Sequence, residues 1–296
     1  MNDLQTVYAL LNPDDPAQDV IDRSRHQLQV RIRGGRTSRN RTAWLGVGIG
    51  GLAAAAAVTV AIAAIPATPV NGPPAKVVSG QDILLQAAVA AERSPQGTGR
   101  YWYVKVTVEG GNRPSATYEN WVKPDGHLWS RGAKTKGKVM SLGVNRPKPF
   151  SLVAVDLTLE QLRALPTDPD ALKAWIAEAT KHTDARTSAG KFTAADQERA
   201  TFESLISLVS TLPAPPQVRA AAFRAIAAYP GVRNLGPVPG GQGLQLPDHD
   251  QRLVVDPASG RVNGSSVFVT MDGAEYIVDA PATAKIDAEW TDTLPE

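Results

Sequence analysis

Residues 43–65 read AWLGVGIGGLAAAAAVTVAIAAI, a run without a charged side chain. Wound as a helix it extends about 34 Å, enough to cross a hydrocarbon core of about 30 Å. Arginines precede it at positions 23, 25, 31, 33, 36, 39 and 41, with Asp22 alone nearby to offset them, and only Lys76 follows on the other flank. Positive charge is retained on the cytoplasmic side of a membrane. Arg31, Arg33, Arg36, Arg39 and Arg41 therefore set the expected topology of a single-pass cell-membrane protein with a cytoplasmic N-terminus. The expected layout is a cytoplasmic tail over 1–42, a transmembrane helix over 43–65, a Pro-rich linker over 66–78 and an extracytoplasmic domain over 79–296. Cleavage is the competing reading, because small residues around Ala64 and Ala67 suit a signal peptidase. The length of the apolar run and the 42 residues ahead of it weigh against a secretory signal.

Charge adds little to this topology. The tail holds seven Arg against five Asp, and the remainder holds 24 basic and 24 acidic residues. The basic excess thus belongs to the membrane flank, and nucleic acid is not an expected partner. There is no cysteine, which excludes disulfides, thiolate metal sites and a lipid-modified N-terminal Cys. In the tail, Leu4, Val7, Tyr8 and Leu11 recur at helical spacing before Asn12-Pro13-Asp14-Asp15-Pro16. Either a docking peptide for a cytoplasmic partner or a plain topogenic tail fits that pattern.

Beyond the linker the pattern predicts an α+β domain: a curved, mostly antiparallel sheet packed on several helices. Ser79 and Asp82 cap an opening helix with Ile83, Leu84, Ala87, Ala88 and Ala91 inward. Strands are predicted at 101–108, 117–122 and 127–131, with the turn Pro124-Asp125-Gly126 between the last two. Residues 132–149 read as a basic, irregular segment. Four helices follow, marked by Thr158 with Gln161, Asp168-Pro169, Thr193 with Asp196, and Pro215-Pro216. The last sixty or so residues return to strands as a meander over 252–278, closed by a strand at 284–290.

No motif carries catalysis. Gly46, Gly48 and Gly51 match a dinucleotide spacing but sit inside the apolar run. Ser188-Ala189-Gly190-Lys191 matches the S-x-x-K of acyl-transferring enzymes without its partner motifs. Asp248-His249-Asp250 offers ligand types, yet consecutive residues cannot all face one ion, and His127 and His182 are distant in sequence. Catalytic, cofactor and metal residues are accordingly expected to be none. Two features point to binding instead. Trp102, Trp121 and Trp129 fall in one strand block and form a candidate ligand groove. Arg131, Lys134, Lys136 and Lys138 lie in a stretch without acids and are candidate contacts for anionic lipid or cell-wall polymer.

Several stretches together resemble a family of actinobacterial single-span membrane proteins often encoded beside extracytoplasmic-function sigma factors. The carriers are the Asp3-Leu4 start, the Asn12-to-Pro16 segment, the Ala-rich span, Leu165-Pro166-Thr167-Asp168-Pro169, Arg219-Ala220 through Tyr229-Pro230-Gly231-Val232, and Val255-Asp256-Pro257 with Gly260. The opening helix followed by aromatic strands also looks like the half-barrel of periplasmic lipoprotein carriers and sigma-factor regulators, by analogy of fold. The resemblance implies no catalytic residues. It implies a non-enzymatic extracytoplasmic sensing or binding module whose tail acts on a sigma factor. A carrier of envelope lipid or polymer, without signalling, is the alternative.

Overall fold

Local capping chemistry places the helices. Ser79 Oγ accepts the Asp82 N–H at 3.0 Å, and the Asp82 carboxylate accepts the Ser79 N–H, which opens α1 (Gly80–Arg93). The same reciprocal pair, Thr158 with Gln161, opens α2 (Leu159–Arg163). Asp168 accepts the Ala171 N–H at 2.9 Å, with Pro169 at the first position of α3 (Pro169–Lys181). Thr193 and Asp196 box the start of α4 (Ala194–Ser210), and Pro216 begins α5 (Pro216–Ala227) without a side-chain cap. These are the starts that the sequence predicts. The structure, a computed structural model, describes residues 78–109, 115–144, 147–183, 186–187, 190–247, 251–270, 275–278 and 282–295. The expected tail, the 43–65 span, the topology arginines and the linker up to residue 77 lie outside the described residues. Among the described residues no helix is long and apolar enough to cross a membrane.

The strands build one large sheet. β1 (Tyr101–Val108), β2 (Ala116–Val122), β3 (His127–Arg131) and β4 (Met140–Val144) run as a meander. Two short hairpins follow: β5 (Phe150–Leu152) with β6 (Val155–Leu157), and β7 (Arg186–Thr187) with β8 (Gly190–Lys191). A second meander contains β9 (Arg233–Val238), β10 (Gly241–Gln245), β11 (Arg252–Asp256) and β12 (Arg261–Ser265). After the hairpin β13 (Val267–Val269) and β14 (Glu275–Ile277), strand β15 (Ala284–Thr291) enters between β1 and β12. The result is a nine-stranded sheet in the order β4-β3-β2-β1-β15-β12-β11-β10-β9, antiparallel at every pairing. The expected α+β class with an antiparallel sheet and several helices is what the chain forms.

The expected meander over 252–278 is not continuous. The chain leaves the large sheet at Ser265-Ser266. Ser266 Oγ accepts the Arg252 N–H at 2.8 Å and the Ser266 N–H donates to the Arg252 carbonyl at 2.9 Å, which ends the ladder. Beyond this corner, β13 pairs only with β14. The segment expected to be irregular, 132–149, contains β4 at the sheet edge.

One face of the sheet carries the core. Trp102, Val104, Val106 and Val108 alternate with outward residues along β1 and join a buried cluster with Leu205, Ile206, Leu208, Phe223 and Ile226 of the helices. The indole N–H of Trp102 donates to the Thr211 carbonyl at the end of α4, 2.8 Å away. Helix α1 covers β9, β10 and β11, and α4 reaches β5, β12 and β13. From Ala200 to Ser210 every residue of α4 is buried. Its Ser204, Ser207 and Ser210 satisfy their hydroxyls on carbonyls four residues back, which is how serines are accommodated inside a core helix.

Candidate binding pocket

The helices gather over the β9–β12 half of the sheet, so the β1–β4 half keeps a cavity on its helix side. Val104 and Val106 of β1, Tyr118 of β2 and Leu128 of β3 form its floor. The opposite wall is Leu212, just after α4, with Phe268 and Tyr276 from the β13–β14 hairpin, whose rings stack at 5.0 Å. Gly132 to Thr135, the turn after β3, forms the rim and brings Lys134 to it. The cavity measures about 410 Å³, within the range of small-molecule sites, about 300–1,000 Å³. Its polar lining consists of Asn120, Ser130, Lys134, Thr135, Ser151, Thr211 and Thr270 besides Tyr118 and Tyr276, with no carboxylate or imidazole among the described residues. Leu142, on the edge strand, lines it yet stays half exposed.

The three candidate groove tryptophans do not share this site. Trp102 pairs across the ladder with Val122, whereas Trp121 pairs with Tyr103 and with Trp129. Opposite residues on neighbouring strands share a face. Trp102 therefore points to the helices, and Trp121 and Trp129 lie on the other side of the sheet. Trp121 is only 3% exposed, because the Tyr103 ring lies 5.1 Å from it and the Arg131 guanidinium sits 5.5 Å from its centre. Trp129 packs edge-on to Tyr101 at 5.5 Å and stacks on His127 at 5.7 Å. A single groove of all three is corrected to one core tryptophan and a packed aromatic layer on the opposite face.

That layer is held by a charged network. Arg131 donates from Nε and Nη2 to both Glu119 oxygens, and the Tyr103 hydroxyl donates to Glu119 Oε1 at 2.7 Å. The Arg131 hydrogen bond leads the causes that hold the Glu119 carboxyl below the ordinary glutamate range, against the opposing effect of its desolvation. Desolvation, followed by the bond to Glu119, pushes the Tyr103 phenol upward, so it stays a donor. Arg131 is thus engaged by this carboxylate. Lys134, Lys136 and Lys138 are exposed on the turn between β3 and β4. Among the four candidate anion contacts, Lys134 is the one at the cavity rim.

Among the described residues the discounted motifs give no second centre. Gly190 and Lys191 form β8, while Ser188 lies outside the described residues, as do Asp248, His249 and Asp250. His127 faces Asp125 at 3.4 Å, and His182 bonds Glu178 at the end of α3. Among the described residues no group of His, Cys, Asp or Glu is placed to hold a metal. No family model, curated protein or solved structure matches this chain.

The sequence pattern placed Val104 and Val106 on one face, because β1 alternates. It missed the opposing wall, because Phe268 and Tyr276 reach the cavity only after the chain turns out of the sheet at Ser266. A break in strand propensity at Gly264-Ser265-Ser266 was the available signal.

Proposed function

We propose that this chain is a membrane-anchored, non-enzymatic binding module whose extracytoplasmic domain takes the apolar part of an envelope amphiphile into the cavity under β1–β4. The observation that carries this reading is the lining itself: Val104, Val106, Leu128, Leu212 and Phe268 offer apolar walls, with the cation of Lys134 at the mouth. An acyl or prenyl chain with an anionic end meets both requirements. The charge-free run at 43–65 with its inner arginines supports an anchor that holds the domain at the membrane surface. On the signalling reading the tail, residues 1–42, passes occupancy to a cytoplasmic partner such as a sigma factor. On the carrier reading the tail serves topology alone.

The test uses the full chain in membranes with a fatty acid bearing a photoreactive diazirine. Adducts are expected on peptides containing Val104, Leu128 or Phe268. They should be displaced by unlabelled fatty acid and lost in Val106→Trp, whose indole fills the cavity floor. Adducts confined to residues 43–65 would overturn the binding reading. A pull-down on the tail that recovers no sigma factor would remove the signalling half alone.

A further inference from the structure

A second cavity lies on the far side of Trp102. It holds about 330 Å³ and is formed between the 94–98 segment, the start of α5 and the paired strands β12 and β15. Its chemistry differs from that of the apolar pocket. Arg219, one turn into α5, and Arg261, the first residue of β12, both line it, against a wall made by Trp102 and Trp290, whose rings meet at 5.4 Å.

Among the described residues Arg219 lacks a counter-charge. Arg219 is partly buried, and its Nε is sealed from solvent without a hydrogen-bond partner. Desolvation and then the charge of Arg261 make its protonated state costlier than usual. Among the described residues no carboxylate lies within ion-pair distance of either guanidinium. The Asp256 carboxylate accepts from Ser259 Oγ at 2.6 Å and the Ala258 N–H at 3.0 Å, and it also feels the charge of Arg261, so it offsets that arginine in part without an ion pair, while Glu289 at the rim pairs with neither arginine. Arg261 reaches only the Ala288 carbonyl, at 3.5 Å. Helix α5 adds to the imbalance, since its positive dipole end carries no side-chain cap. A guanidinium with a sealed, unpartnered Nε that also feels a second cation is costly to keep. A bound anion would offset it.

We propose that this cavity is a binding site for a phosphoryl group, with Arg219 and Arg261 as its clamp and Trp102 and Trp290 as an apolar wall for the body that carries the phosphate. Two guanidinium forks present more donors than a carboxylate accepts and match the tetrahedral oxygens of phosphate. Ser94, Thr98 and Ser259 line the same space. The site is separate from the apolar cavity: Trp102 and its bond to the Thr211 carbonyl stand between the two.

The experiment follows thermal unfolding of the full chain in bilayer nanodiscs, at constant ionic strength set with chloride. Three probes are compared: inorganic phosphate, phenyl phosphate and phosphatidic acid in the bilayer. At about a hundredfold excess over Kd, the effective probe is expected to raise the midpoint by several degrees. A response to either soluble probe assigns a soluble phosphate ligand, and a response to phosphatidic acid alone assigns a lipid headgroup. Arg219→Gln should abolish the response while leaving the unliganded midpoint equal to or above wild type, because it removes the uncompensated charge. If that variant fails to fold, Arg261→Gln on the exposed strand end carries the test, with affinity reduced at least roughly tenfold. The proposal is overturned if all three probes match chloride, or if a folded variant at either position keeps the full response. Val106→Trp should leave this response intact, which keeps the outcome distinct from that for the apolar pocket.

Discussion

At the scale of single residues, Glu119 shows how one carboxylate can organise a sheet face. It accepts from Arg131 and Tyr103 at once, and both donors also cover Trp121. Its folded pKa lies below the unfolded one, so the unfolded chain binds the extra proton on acidification. The stabilisation is therefore full above the ordinary glutamate value, about 4.3, and is lost as pH falls through the folded value. Glu119→Gln should reduce stability at neutral pH by about 1–3 kcal/mol, and the gap from wild type should close in acid. Urea unfolding followed by tryptophan fluorescence across pH 7 to 3 checks both parts. Gly260 makes a steric prediction at the same scale. It has φ +65°, and a Cβ there would sit 2.5 Å from the Ala91 amide nitrogen and 2.6 Å from the Ala87 carbonyl oxygen of α1. The β11–β12 turn thus rests on helix backbone that neither side can move cheaply. Gly260→Ala should destabilise by about 1–3 kcal/mol in the same assay.

Among the elements, the helices were the more legible because each advertises its start. Thr193 and Asp196 satisfy each other's backbone N–H groups before α4, the helix buried along most of its length. Thr193→Ala should lower stability by about 1 kcal/mol, measurable as a reduced midpoint in urea with an unchanged slope. The strands were legible only where side chains alternate. β1 alternates strictly, and β2 and β3 are joined by a Pro-Asp-Gly turn, so their positions could be read. The β9–β10 hairpin runs Arg233-Asn234-Leu235-Gly236-Pro237-Val238-Pro239-Gly240-Gly241-Gln242-Gly243-Leu244 and has no period-two signal. It is nonetheless a strand pair because β9 is the sheet edge, where a proline without an N–H is tolerated, and because the register shifts by a bulge at Gly243. β4 was hidden for a related reason. Its Met140, Leu142 and Val144 lie at the opposite edge and remain exposed, so no burial pattern was written into the sequence.

The molecule as a whole depends on a strand that the chain supplies late. β15 pairs with β1 along seven residues, from Tyr101 with Thr291 to Thr107 with Lys285, and also with β12 through Gly264 and Ser265. Among the described residues it is the sole link in the ladder between the β4–β1 half, which floors the apolar cavity, and the β12–β9 half under α1. Its Ile286 and Ala284 are buried in the core, and its Trp290 meets Trp102 at the wall of the arginine cavity. Alternation made this strand readable, but its place was not: nothing local in 284–291 says that it must travel back beside residue 101. Loop-closure entropy has to be met before that pairing contributes, so folding should be limited by this late, long-range step. Removing residues 284–295 should leave two edge ladders facing each other across an open gap and expose Val104 and Val106. The shortened chain is expected to lose cooperative unfolding and protease resistance throughout the domain, including at α1, rather than fraying only at its end. Limited proteolysis with mass mapping decides between these outcomes. If α1 and the β9–β12 meander stay protected without β15, the two halves of the sheet fold as independent units. The apolar cavity would then require only the β1–β4 half, α4 and the β13–β14 hairpin.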